Sequence, residues 1–486
     1  MNLAEYAGFD GLGLAELVRR GDVSASELGR LALDAVARIN PALNAVLETF
    51  PDRVERLGSG RPTGGTFAGV PFLIKDLFLF EKGVACECGS RLMQGFRPDH
   101  DSELTRRFRQ AGFVTVGRTA VPEMGYSSAT SSRLHGVTRN PWNPDRISGG
   151  SSGGAAVAVA TGIVPIAHGS DGGGSIRSPA SFNGLVGLKP TRGRISEGPD
   201  VADQLQGLGV NFVLTRTVRD CAAALDEVHG AVPGDPYAIA PPQRPFLEEA
   251  GRPPGRLRIA VASETFGGTP IEAEVRAATA RAARRLEGMG HVVEEAMPRF
   301  DWLPFVSAVN DLWTAHLARG CDLFGEFLGR RPDETNLQRV TWACYRHGKS
   351  RTASDLLAAL EVFNTVSRRV GAFFERYDLL VTPTCARTAM AHAEFNMDRA
   401  DMDALQWCQH CFTLEAFLVP FNVAGLPAMS LPLEQSLEGG PIGIQFVGRF
   451  GEEADLFRIA AELERAAPWA NRRPPIHVGQ KEPAHR

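Results

Sequence analysis

The feature that most constrains this chain is one stretch dense in glycine and serine. Twelve of the 47 residues from Ser148 to Arg194 are glycine, in a chain with 52 glycines among 486 residues. Glycine reaches backbone conformations closed to other residues, at an entropic cost. Such density marks a backbone that must turn sharply or approach something closely. Two clusters stand out: Ser148-Gly149-Gly150-Ser151-Ser152-Gly153-Gly154 and Asp171-Gly172-Gly173-Gly174-Ser175-Ile176-Arg177. Ser175 lies 24 residues after Ser151. Between them, Ala155 to Ala167 reads as a buried helix that turns into a strand.

Glycine-rich nests bind anions through bare N–H groups. A Walker A loop would need a lysine, and neither cluster has one; the Rossmann glycine spacing is matched poorly. Acyl transfer fits better, because it needs a nucleophile, a base and backbone donors for an oxyanion. Gly172, Gly173 and Gly174 can turn several N–H groups toward one point beside Ser175, which makes Ser175 the candidate nucleophile. The G-x-S-x-G elbow of α/β-hydrolases is absent, since Ile176-Arg177 follows the serine.

A base is then required. None of the eleven histidines stands out by spacing, and His168 reads as a core or strand-end residue. Lysine is the other known partner of a catalytic serine. The chain has five lysines: Lys75, Lys82, Lys189, Lys349 and Lys481. Lys75 closes the apolar run Phe67 to Ile74. Burial there disfavours the charged form and can leave a neutral base; a salt bridge with Asp76 is the plainer alternative.

These blocks, with Gly69-Val70-Pro71-Phe72-Leu73-Ile74-Lys75-Asp76 upstream, resemble the amidase signature family of serine hydrolases. The resemblance extends through Gly136 to Trp142, Gly187 to Thr191, Leu380 to Thr384 and Pro420 to Pro427. Arg139 to Asn143, Gly187 to Pro199 and Pro468 to Pro474 resemble the family's cyclic-dimer hydrolases in particular. The resemblance implies a Ser-Ser-Lys triad: Ser175 acylated, Ser151 bridging it to Lys75, and a cis peptide between Gly150 and Ser151. It implies an oxyanion hole from Gly172, Gly173, Gly174 and the Ser175 N–H, with Ser152, Asp171 and Arg177 in support. Met124, Gly125 and Tyr126, and Asn310 on a helical wall with Phe305, Trp313 and Phe324, are the candidate substrate residues. Gly172 stands where many members have Thr or Ser, which loosens the loop and keeps the donor.

The rest of the chain reads as α/β. A strand-helix-strand unit spans Arg256 to Glu295, and residues 300–375 look helical. Ser24 opens a helix that Asn40-Pro41 should end. The expected fold is a single α/β/α domain over 1–486, with a mixed, mostly parallel sheet flanked by helices on both faces. Its signature core would lie at about 65–200 and a helical substrate-side insert at about 297–375.

Other readings are weaker. Cys408-Gln409-His410-Cys411 and Cys86-Glu87-Cys88 could supply zinc ligands, yet Cys408 to Phe421 reads as an apolar helix where free thiols are common. Asp99-His100-Asp101 reads as a turn without a distant partner, and Lys189 as a structural charge. Neither metal nor cofactor is expected. A net charge of −4 argues against nucleic acid, and no apolar run reaches the roughly 20 residues of a membrane span. The N-terminus has no basic-then-apolar pattern, so a cytoplasmic enzyme is expected. Its partner would be a small-molecule amide, and the family resemblance implies a homodimer. The alternatives kept open are an idle binding protein on the same fold and a glutaminase-type amidotransferase subunit.

Overall fold

The computed structural model describes residues 1–57 and 64–480. Eleven strands make one sheet. In chain order they are β1 (Val46–Thr49), β2 (Pro71–Lys75), β3 (Val114–Thr119), β4 (Ile166–Asp171), β5 (Val186–Lys189) and β6 (Val210–Thr215). They continue with β7 (Arg258–Val261), β8 (Val292–Glu295), β9 (Leu379–Pro383), β10 (Ala428–Gln435) and β11 (Pro441–Gly448). The spatial order is β1-β3-β2-β4-β6-β5-β10-β11-β9-β7-β8.

Parallel pairing holds in two blocks, β3-β2-β4 and β9-β7-β8. The expected parallel character applies to those blocks and not to the middle, where neighbours from β4 to β9 pair antiparallel. The reason is connectivity. The β7-helix-β8 unit carries its crossover helix, Ala273–Gly288, and must pair parallel. The β10-β11 pair is joined by a short turn and must pair antiparallel.

Helices cover both faces. On β11, a side chain at Gly443 would meet Ser181 of helix Arg177–Asn183, and one at Gly448 would meet Leu456 of helix Glu453–Ala466. The two positions are an odd number of residues apart, so they face opposite sides of the sheet.

Two boundaries differ from the sequence reading. The helix capped by Ser24 runs through Pro41 to Leu43 and stops at Asn44, which is left-handed. Asn40 anchors the turn that follows: its Oδ1 accepts the Ala45 and Val46 N–H groups and its Nδ2 donates to the Val46 carbonyl. Cys408 to Phe421 is two helices, Ala404–Leu414 and Val419–Val423, broken at the buried Glu415. The 300–375 region forms Trp302–Phe327, Arg339–Lys349 and Ala353–Phe373.

Candidate active site

Lys75 and Asp171 sit at the carboxyl ends of β2 and β4, which pair parallel. In α/β sheets this is where ligand sites form. All five residues of β2 are buried, so the strand carries the Lys75 side chain into the interior. Ser151 and Ser152 immediately precede helix Gly153–Ala160, which is buried along its whole length. That helix approaches the end of β3 so closely that a side chain at Gly154 would lie 2.5 Å from the Ala120 nitrogen. The approach holds Ser151 and Ser152 over Lys75.

Lys75 Nζ lies 2.7 Å from Ser151 Oγ, 2.8 Å from Ser152 Oγ and 2.8 Å from Ser170 Oγ. Burial pulls its pKa down to about 7, against the opposing charge of Asp171. A neutral amine has two N–H donors and one lone pair. Ser152 Oγ spends its proton on the Ser170 carbonyl at 3.2 Å, so toward Lys75 it accepts. With the second N–H on Ser170 Oγ, the lone pair is left for the Ser151 hydroxyl proton. Asp76 does not pair with Lys75. It faces Arg118, whose Nη1 is 3.1 Å from Asp76 Oδ1, which removes the salt-bridge alternative. The Gly150–Ser151 peptide is cis.

Ser175 follows β4 by four residues. Its hydroxyl bonds to none of the described residues, and it is partly exposed to a cavity of about 530 Å³ that Ser151 also lines. Asp171 organises the turn between strand and serine. It is fully buried, and it accepts the Gly174 N–H at 2.7 Å and the Ile176 N–H at 3.2 Å. Arg177 grips it through Nε and Nη2, both at 2.9 Å, and Asn422 Nδ2 adds a further bond at 2.9 Å. Burial alone would raise the Asp171 pKa; Arg177 and Asn422 outweigh it and hold the carboxylate well below its ordinary range.

The Gly174 N–H is therefore committed to Asp171, which corrects its expected oxyanion role. Gly174 instead supplies a turn at φ +136. The Gly172, Gly173 and Ser175 N–H groups find no acceptor among the described residues.

The chain matches the amidase family over residues 27–457. It is 38% identical over 477 residues to a 6-aminohexanoate-cyclic-dimer hydrolase of Paenarthrobacter ureafaciens, covering 96% of each chain. A solved structure of 6-aminohexanoate cyclic dimer hydrolase superposes with a TM-score of 0.91 at 37% identity, covering 97% of this chain and 99% of that one. A glutamyl-tRNA(Gln) amidotransferase subunit of Thermosynechococcus vestitus is 33% identical, covering 95% of this chain and 98% of the relative. The chain belongs to the amidase signature family. It is a hydrolase acting on amide C–N bonds.

Within this amidase, Met124, Gly125 and Tyr126 line the cavity. Asn310 does not. It is buried against helix Arg339–Lys349, where its Nδ2 lies 3.1 Å from His347 Nε2. Trp313, His316, Leu317, Gly320 and Phe324 of the same helix reach the cavity instead, spaced three and four residues apart. Phe305 packs against Trp302 and Phe412 away from it.

Several contributors were not anticipated. Ser170 holds Lys75, and Gln445 Oε1 accepts from Arg177 Nη1 at 2.7 Å. Ser170 adjoins Asp171 in the second cluster, and Asn422 lies in the Pro420 to Pro427 block, so both carried a signal. Gln445, a lone amide on an apolar strand, is a weaker one.

His168 is structural, as read. Its Nδ1 accepts the Lys75 N–H at 3.2 Å, which leaves Nε2–H to donate to Asn211 Oδ1 at 3.0 Å. Lys189 is buried with its Nζ on the Pro190 carbonyl. His100 does have a distant partner, Asp200, at 2.5 Å, which corrects the reading of that loop as isolated.

Among the described residues the cysteine pairs do not gather into a metal site. The one group of suitable ligands is Asp76, Glu87 and His135, and Arg118 already pairs with both carboxylates. No helix among the described residues is long and apolar enough to cross a membrane.

Proposed function

We propose that this chain cleaves carboxylic amides through an acyl-enzyme on Ser175, with Lys75 acting through Ser151. The observation that carries the reading is a buried lysine with its lone pair free for Ser151, which lines a cavity that also holds the Ser175 hydroxyl, unpartnered among the described residues.

The Ser175 hydroxyl attacks the amide carbon as its proton passes to Ser151 Oγ, and the Ser151 proton passes to Lys75 Nζ. The carbonyl oxygen, now an oxyanion, is met by the Gly173 and Ser175 N–H groups, with Gly172 adjacent. Removing one such donor typically costs about 2.7–4 kcal/mol of transition-state stabilisation. When the C–N bond breaks, Ser151 protonates the leaving nitrogen and recovers its proton from the Lys75 ammonium. Water then enters by the same path, and the acid leaves with Ser175 regenerated.

The walls set the substrate class. Trp313, Leu317, Phe324, Met124 and Leu77 make the cavity largely apolar, which suits linear or cyclic amides with alkyl bodies. Likeness to the cyclic-dimer hydrolase supports lactam-type diamides within that class. The three helices over 302–373 would then form the substrate-side wall of one 1–486 domain. An apolar wall suits poorly the charged head of glutamine, which the amidotransferase alternative would require.

The direct test is covalent labelling. A sulfonyl fluoride or activated ester should modify Ser175 and block turnover of cyclic and linear amides alike. Equal labelling of Ser175→Ala would remove Ser175 as nucleophile.

A further inference from the structure

A second cavity, of about 360 Å³, lies at the far ends of the two helices that begin beside the serines. Ala160 ends helix Gly153–Ala160, Asn183 ends helix Arg177–Asn183, and both line it with Gly184. The Pro468 to Pro474 block forms much of the opposite wall through Pro468, Trp469, Ala470, Arg472 and Arg473. Nothing in the amide-cleaving site uses this block.

Four guanidinium groups face the cavity, and their partners differ. Arg219 is paired with Asp10, through bonds of 2.5 and 2.6 Å, and Arg472 donates to the Pro432 and Leu433 carbonyls. Arg216 and Arg473 have no carboxylate within 4.0 Å among the described residues. Arg216 reaches the Phe9 carbonyl with Nη2, but its Nη1 is buried with no acceptor. Basic groups beside helix C-termini often serve to offset the terminal carbonyls. Arg216 Nη1 meets none of them.

A buried N–H without an acceptor is rare in folded proteins, and two like charges in one small cavity repel. Burial and the Arg473 charge both pull the Arg216 pKa down. Asp220, Tyr6 and Asp10 oppose that pull from a distance, but none supplies an acceptor: the Asp220 carboxylate is taken by the Gly11 and Leu12 N–H groups and Asp10 by Arg219. Glu464 accepts the Val218 N–H and is pushed up to about 7 by burial; His477 is pulled down to about 4 by burial and then by Arg473 and Arg216. The flanks are apolar. Trp469 is buried, and its indole N–H is fastened to the Arg216 carbonyl at 2.9 Å, which fixes its ring in the cavity wall.

We infer that this cavity binds a small monocarboxylate with a short apolar body. The carboxylate would sit between Arg216 and Arg473 and take the free Nη1–H, and the alkyl part would lie against Trp469 and Pro468. Acids of this class are what hydrolysis of a linear alkyl amide releases, so the site would sense the product of such substrates. The binding claim itself does not depend on the catalytic reading.

The experiment is calorimetry on full-length enzyme with its active site blocked by a sulfonyl fluoride, titrated with hexanoate. One-to-one binding is expected. Arg473→Gln, at an exposed position, should weaken it about tenfold or more, as loss of a charge-assisted bond does. Arg216→Gln should do the same; if that variant fails to fold, the Arg473 result decides alone. Hexanamide should not bind. Four outcomes would overturn the inference: no heat in the blocked enzyme, binding unaffected by Arg473→Gln, inorganic phosphate binding as tightly as hexanoate, or binding that appears only in a chain ending at Gln480. The last would make the chain's own C-terminal segment the occupant. Failure of Ser175 labelling would overturn the catalytic reading; the titration would then be run on unblocked enzyme, where loss of hexanoate binding in Arg473→Gln, at a residue that does not line the first cavity, still reports on this inference.

Discussion

The proposed role of Lys75 depends on where it stands. Its pKa falls from 10.5 to about 7 through burial, so the neutral base is present above about pH 7 and is lost below it. The value of kcat/KM should therefore drop about tenfold per pH unit on the acid side of 7. A profile flat down to pH 5 would exclude Lys75 as base. The same shift has a stability sign. Between about 7 and 10.5 the unfolded chain binds a proton that the native state does not, so native stability rises with pH across that window. Lys75→Met lacks this contribution and should abolish turnover. Measured as Tm against pH, wild type should gain on Lys75→Met from pH 7 to 10. At this scale the sequence was informative where a residue was rare or its neighbours uniform. Lys75 is one of five lysines and ends an apolar run. Ser170 was missed because a serine before a glycine cluster has many uses, and only the adjacent end of β2 selects one. Asn310 failed for a related reason: helical spacing places it near Trp313 in sequence, but which flank faces the cavity is set by the packing of helix Arg339–Lys349.

Between residue and fold, the connection of β4 to helix Arg177–Asn183 determines how the amides beside Ser175 point. Asp171 ties both sides of the turn; Arg177 and Asn422 hold Asp171, and Gln445 in turn holds Arg177, so three separate elements meet here. Arg177→Met would leave a buried carboxylate without its cation. The expected cost is about 3–5 kcal/mol of stability, read as a lower midpoint in denaturant unfolding. Arg177→Lys should recover only part of it, because an ammonium cannot grip both oxygens in the same fork. Wild-type stability in either variant would reduce this network to decoration. The connecting stretch was legible because the glycines around Ser175 demanded a special backbone. The break at Glu415 was not. Apolar residues continue on both sides of it, and a helical pattern shows no gap where, as from Leu414 to Val423, every residue is buried.

Across the whole molecule, charge is nearly balanced, at −4 over 486 residues, but its distribution is uneven. Asp200 and Asp203 line the catalytic cavity near loop 196–205, with Arg319 the one arginine or lysine among the lining residues. Glu197 and Glu415 also line it; burial raises them to about 7 and about 8, so they contribute less negative charge at neutral pH. Asp200 shares its charge with His100, so Asp203 carries most of this field, which disfavours substrates that carry a free carboxylate and leaves neutral ones alone. It predicts that neutral amides are accepted ahead of amides that carry a carboxylate without a compensating ammonium. The global composition held no trace of this, because it depends on which acids the mixed sheet and its loops bring to one opening. Salt tests it. Raising ionic strength from about 0.01 to 0.15 M shortens the screening length from about 30 to 8 Å. KM for a carboxylate-bearing linear amide should then fall, while KM for a neutral cyclic diamide stays level. Asp200→Asn and Asp203→Asn together should give the linear substrate its high-salt KM at low salt. If salt moved both substrates equally, the acidic rim would have no part in selection, and any discrimination would rest on the shape of the apolar wall alone.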